Sequence, residues 1–145
     1  MDIGFIGVGS ALAFAAMGSA LGTGAAGMAA IGAWKKCYVE NRPAPFILIA
    51  FVGAPLTQTI YGFILMSNTL LPAASNGTAS PGMLLGSGIF GGIAMGLSSF
   101  AQGRAGAMAS DALAETGKGF SNYIMVVGIV ETVALFVMVF LMGAI

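Results

Sequence analysis

Residues 68–82 read Asn-Thr-Leu-Leu-Pro-Ala-Ala-Ser-Asn-Gly-Thr-Ala-Ser-Pro-Gly. Asn68, Pro72, the run Ser75-Asn76-Gly77-Thr78 and the run Ser80-Pro81-Gly82 are turn formers. They interrupt a stretch from Pro43 to Gly103 that carries no charged residue. One membrane crossing needs about 20 apolar residues, so this stretch is too long for a single helix and must fold back at the turn. Ile3 to Trp34 is also free of charge and fits one helix. The pattern predicts helices near Ile3–Trp34, Ala44–Leu70, Met83–Ala109 and Asn122–Ile145. They form a first hairpin (1–72), an extracytoplasmic loop (73–82) and a second hairpin (83–145). The fold class is therefore an all-α membrane protein with four transmembrane helices arranged as two hairpins.

Composition narrows the function. Of 145 residues, 58% are hydrophobic and 7% charged, and mean hydropathy is +0.98. Soluble domains carry about a quarter charged residues, so a soluble enzyme is excluded and no catalysis is expected of the chain alone. Five basic residues balance five acidic ones, which leaves no basic field for nucleic acid. There is no His and one Cys, Cys37. That removes His/Cys metal sites, a Ser-His-Asp triad and any disulfide within one chain. The apolar runs lack the two-residue alternation of a membrane β-barrel.

The charges also give an orientation. Lys35, Lys36 and Arg42 lie between helices one and two, and Arg104 and Lys118 flank the turn between helices three and four. The positive-inside rule places both charged loops in the cytoplasm and both termini outside. A bacterial plasma membrane is the expected location. No basic segment precedes the first apolar run, so a cleaved signal peptide is not expected. Asn76-Gly77-Thr78 is read as a turn rather than a glycan acceptor. Trp34 marks the cytoplasmic interface, Cys37 is a free thiol in the first charged loop, and the ten Met residues fill packing gaps.

One hairpin is written twice. Gly-Thr-Gly-Ala-Ala-Gly-Met-Ala (22–29) and Ala-Gln-Gly-Arg-Ala-Gly-Ala-Met (101–108) occupy matching places late in helices one and three. Gly18, Gly22, Ala26 and Ala30 form one row of small residues, and Gly88, Gly92 and Gly96 another. Such rows let backbones approach closely in lipid. Helices two and four are bulkier. Thin helices inside and thick ones outside suit a ring of copies; a compact four-helix monomer uses the same rows.

Glu131 is the acid inside the fourth helix, within Val-Val-Gly-Ile-Val-Glu-Thr-Val (126–133). A carboxylate in hydrocarbon must be protonated, paired or bound to a cation, and intramembrane acids are ion or proton sites by default. Gln102 and Glu131 are equidistant from the turn near Thr116-Gly117, so they lie at similar depth. Arg104 is the competing partner for Glu131. In helix two, Thr57, Gln58 and Tyr61 fall three or four residues apart. Pro55 cannot donate to the carbonyl of Phe51 and loosens carbonyls that could act as oxygen ligands. A hydroxyl, two amides, a carboxylate and a carbonyl suit a hard cation such as Na⁺.

At these residues the chain resembles the duplicated four-helix proteolipid, subunit K or c, of V-type rotary ATPases, in its bacterial Na⁺-translocating form. Pro55-x-x-Gln58-x-x-Tyr61-Gly62, Gln102 and Val130-Glu131-Thr132 carry the likeness. The resemblance implies a homo-oligomeric ring turning against a stator subunit that carries an essential basic residue. It implies central-stalk subunits at the cytoplasmic loops and lipid around the ring. It implies Na⁺ ligands at Thr57, Gln58, Gln102 and Glu131, a backbone carbonyl at Ala54 (leucine in the relatives), and Tyr61 holding the carboxylate. Na⁺ would be carried across the membrane as ATP is hydrolysed or made. The alternatives are a ring of the same fold carrying H⁺ only, a small multidrug/proton antiporter, which lacks support from helix one because that helix has no acid, and a structural pore-former.

Overall fold

The computed structural model describes residues 3–145; Met1 and Asp2, and with them the charge at Asp2, lie outside the described residues. Four apolar rods fill the chain: α1 (Gly4–Val39), α2 (Phe46–Asn76), α3 (Pro81–Thr116) and α4 (Phe120–Ala144). Each is long and apolar enough to cross a membrane, and the described residues contain no strand. The expected class, all-α with four spanning helices, is what is observed.

Local chemistry sets the ends. Gly77 (φ 66°) and Gly117 (φ 66°) adopt the left-handed conformation that closes α2 and α3, a conformation glycine takes without a Cβ clash. Ser80 begins α3 by accepting a hydrogen bond from the Met83 amide at 3.2 Å, with Pro81 in the first turn. At the charged end, Arg42 Nη1 donates to the Ala114 carbonyl at 2.9 Å. It thereby satisfies an orphan carbonyl in the last turn of α3.

Helix boundaries differ from the sequence reading at three places. α2 does not stop at Leu70. It runs through Pro72 and Ser75 to Asn76, so only Gly77–Ser80 connects the hairpins rather than a loop over 73–82. The reason is a wide π turn over Met66–Leu70 just before Pro72. It absorbs the hydrogen bond that proline cannot make, and Pro72 then sits in the first turn of the resumed helix, where it is tolerated. At the charged end α1 continues to Val39 and α3 to Thr116. Lys35, Lys36, Asp111 and Glu115 are therefore helical rather than in loops, and Cys37 is a buried residue of α1.

α1 and α3 run side by side in the same direction and touch through backbone. A methyl at Gly18 would overlap Gly96, and one at Gly103 would overlap Gly22. This is the close approach that small-residue rows permit. α2 and α4 pack on the outside of this pair. Two clusters fill the interior, one around Phe51, Leu48 and Val127 toward the charged end, the other around Leu65, Met95 and Met138 toward the opposite end. The polar residues between them form the site.

Candidate functional site

The second proline shapes the floor of the site. At Pro55 the rod tightens into a single 3₁₀ turn, Ala54–Leu56, because proline breaks the α ladder. The carbonyls exposed by that break find side-chain donors. Thr57 Oγ1 donates to the Ala54 carbonyl at 3.0 Å, and Ser99 Oγ from α3 donates to the Pro55 carbonyl at 2.6 Å. The carbonyl of Phe51 is not turned to the site. It lies against α3, where a methyl at Gly106 would come within 2.8 Å of it.

From Thr57 a chain of hydrogen bonds crosses three helices. Thr57 Oγ1 also lies 3.1 Å from Gln58 Oε1, to which it can donate. Gln58 Nε2 donates to Gln102 Oε1 at 2.8 Å. Gln102 Nε2 donates to Glu131 Oε2 at 3.1 Å and to the Val127 carbonyl at 3.1 Å. Tyr61 closes the chain from α2, its hydroxyl donating to Glu131 Oε1 at 2.7 Å. Both carboxylate oxygens therefore accept a bond from their own chain. Gln58 and Gln102 have no exposed surface, so each amide would be costly if unpaired. The glutamate itself is half-buried at the edge of the α2–α4 seam. From Phe120, the start of α4, Glu131 lies about 16 Å along the axis at 1.5 Å per residue.

The residues named from sequence (Ala54, Thr57, Gln58, Tyr61, Gln102 and Glu131) thus share one network. Arg104, the competing partner of Glu131, does not enter it. Its side chain is exposed, and its guanidinium lies 5.9 Å from the centre of the Phe100 ring. Ser98 and Ser99 join the site without being singled out by the sequence pattern. Ser99 braces the broken turn at Pro55, and Ser98 donates to the Val130 carbonyl at 2.9 Å, beside the acid. A signal for them exists, since Ser98 and Ser99 lie four and three residues before Gln102, on neighbouring faces of α3. Thr132 turns away and donates to the Ile129 carbonyl at 2.7 Å.

No group of three or more His, Cys, Asp or Glu occurs among the described residues. The neutral oxygens and single carboxylate fit a hard monovalent cation or a proton far better than a transition metal. Fold and site together define a membrane-embedded carboxylate protein built from helical hairpins, with Glu131 held between α2, α3 and α4.

Comparison with known proteins gives the family. Residues 85–142, the second hairpin with the Gln102–Glu131 pair, match the family of the ATP synthase C subunit. The chain is 31% identical over 135 residues to the A-type ATP synthase subunit K of Methanocaldococcus jannaschii, covering 92% of this chain and 57% of that protein. It thus spans a little over half the length of that relative. The second hairpin, residues 85–142, belongs to the ATP synthase C subunit family. That membership, more than helix count, separates it from a four-helix drug exchanger.

Proposed function

We propose that the chain is a non-catalytic rotor subunit in a ring of identical copies, and that Glu131 carries Na⁺ across the membrane in exchange against a stator. The observation that supports this best is convergence. Tyr61, Gln58 and Thr57 from α2 and Gln102 from α3 meet the single acid of α4 in one network, with no basic side chain among them. An ionised carboxylate at this depth requires a countercharge. Oxygens of Glu131, Gln102, Gln58 and Thr57 and the Ala54 carbonyl form a set suited to Na⁺ once the amides and hydroxyl turn their lone pairs inward. Occupied, the site is neutral and can face lipid. Emptied, the carboxylate meets a basic group of the stator. Each unit charge moved is worth about 2.3 kcal/mol per 100 mV, so several sites share the work of one ATP.

The ring reading draws on the exposed apolar faces of α1 and α4, including Met17, Leu21, Ile129, Val133 and Phe140, which suit lipid or neighbouring copies. The charged end carries a cleft of ≈ 570 Å³ lined by Arg42, Pro45, Ile47, Leu113, Glu115 and Phe120. Central-stalk subunits would dock there, with that end in the cytoplasm.

A membrane-permeant carbodiimide tests the assignment. It should modify Glu131, and Na⁺ at constant pH should protect it. A proton-only rotor needs just the carboxyl and one acceptor for its proton, a role the Tyr61 hydroxyl oxygen, 2.7 Å from Glu131 Oε1, could fill by accepting instead of donating. Protection by acid pH but not by Na⁺ would select that reading and remove Na⁺.

A further inference from the structure

Arg104 is the only basic residue of α3, and its depth is unusual. α1 and α3 share a register. Ser19 meets Ser99, and the Cys37 thiol points at the Ala114 carbonyl, offsets of 80 and 77 residues. By those offsets Arg104 lies level with residues 24–27 of α1. The charge-free part of α1 ends only at Lys35, eight to eleven residues further on. Arg104 is therefore about 12–16 Å deeper than the charged end of its neighbour, at 1.5 Å per residue. Snorkelling covers only part of that distance.

The guanidinium has no acid beside it. Among the described residues the ion pairs are Lys36–Glu115 and Arg42–Glu40. Asp111 is two turns further along α3, about 10 Å away along the axis. Both oxygens of Glu131 are engaged within its own network. Glu131 is tied to Tyr61 and Gln102 on the α2–α4 side of its own chain, and a charge as deep as Arg104 needs a countercharge.

The surroundings give that anion a shape. Around Arg104 the outer face of α3 lies open and carries only small or apolar side chains, Ala101, Ala105, Ala107 and Met108. Next to it, an apolar groove of ≈ 170 Å³ runs between α1 and α3, lined by residues that include Phe14, Leu21, Ile93, Leu97 and Phe100. Phe100 links the two, since its ring centre lies 5.9 Å from the Arg104 guanidinium and the ring walls the groove. From Arg104 through Phe100 and Leu97 to Ile93 the path leads away from the charged end, the direction an acyl chain takes from its headgroup. A free phosphate would have no use for the groove and would not enter hydrocarbon.

We infer that Arg104 and the α1–α3 groove bind an anionic phospholipid, its phosphate on the guanidinium and one acyl chain along Phe100, Leu97 and Ile93. The fork of guanidinium donors matches phosphate oxygens, and local sinking of a headgroup toward a buried arginine is a known membrane response. This site is separate from the Glu131 network and does not depend on which ion that network carries.

The test uses the full chain purified in detergent and reconstituted in nanodiscs of phosphatidylcholine with a minor share of phosphatidylglycerol. Phospholipid retained after a detergent wash is identified by mass. The wild-type chain should retain phosphatidylglycerol over phosphatidylcholine. R104Q should lose that preference by about fivefold, the factor expected for one basic side chain near a lipid surface, while R104K keeps part of it. K118Q, at an exposed position outside the groove, should behave as wild type, and L97W should lower retention by filling the groove with the charge intact. The proposal is overturned if the wild-type chain shows no preference, or if R104Q retains as much phosphatidylglycerol as wild type. It is equally overturned if inorganic phosphate displaces the retained lipid, which would mark a free-anion site. A change of oligomeric state in R104Q with R104K showing no lipid preference would assign the guanidinium to a contact between copies, and the lipid site would fall.

Discussion

Replacing Gln102 by alanine tests the site most directly. This side chain has no exposed surface and makes three hydrogen bonds, accepting from Gln58 and donating to the Val127 carbonyl and to Glu131. Alanine fills none of these roles. The Val127 carbonyl is part of the α4 ladder and loses little. The bond to the carboxylate is charge-assisted and worth about 1.5–3 kcal/mol. If Gln102 helps hold the ion as well as the acid, its loss should weaken Na⁺ binding by about tenfold to a hundredfold, at 1.4 kcal/mol per tenfold. The assay is the Na⁺ concentration that half-protects Glu131 from carbodiimide, in membranes of wild type and Q102A at one pH. The Gln58 amide is also stranded, so the chain should melt lower, by an amount set by about 1–3 kcal/mol for one unpaired buried group. A Q102A chain that folds and keeps the wild-type midpoint would refute the ligand role, leaving Gln102 as a brace between α3 and α4.

Four further outcomes follow from the same geometry. Thr57→Ala should raise the half-protecting Na⁺ concentration, and an unchanged value would strike Thr57 from the oxygen set. Tyr61→Phe removes one hydroxyl and little volume; folding should survive, carbodiimide labelling of Glu131 should speed up, and an unaltered rate would deny Tyr61 any hold on the acid. Gly88→Ala should prevent correct packing, because its methyl would overlap the Gly7 backbone, whereas Gly86 faces open space and Gly86→Ala should be neutral or gain up to about 1 kcal/mol from helix propensity. Equal yields of folded protein for the two would contradict the backbone contact of α1 with α3. Lys36→Gln breaks an exposed pair, Lys36 Nζ to Glu115 at 3.3 Å, so the thermal midpoint should change by no more than about 1 kcal/mol allows; a large loss would mean that the pair is shielded from water.

The network is legible in the sequence because it obeys simple spacing. Gln102 and Glu131 pair by equal distance from a turn, and the turn at Gly117 is where that symmetry requires it. Thr57, Gln58 and Tyr61 group by helical periodicity, which the broken segment at Pro55 preserves. Less legible are features in which one element compensates another. Pro72, Ser75 and Asn76 look like a loop by composition, but the wide turn at Met66–Leu70 provides room for the proline, and the chain stays helical. Lys35, Lys36, Asp111 and Glu115 look like loop residues because charge is costly in lipid, yet the rods extend past the apolar layer and carry these charges on helix ends. Ser99 is inconspicuous because serine is common on close-packed membrane helices; its role depends on a carbonyl of a different helix.

The wide turn at Met66–Leu70 has a consequence for the far third of α2. One inserted residue rotates everything beyond it by about 100° relative to an unbroken α-helix, since each residue advances the spiral by that angle. Leu70, which ends the turn, and Ala73, just beyond it, are both buried. Tyr61 and Gln58, on the near side, keep an orientation set only by the proline break below them. The rod is thus indexed in two independent sections, and loss of a single residue from 66–70 would re-aim the far tip while leaving the carboxylate's cradle as it stands.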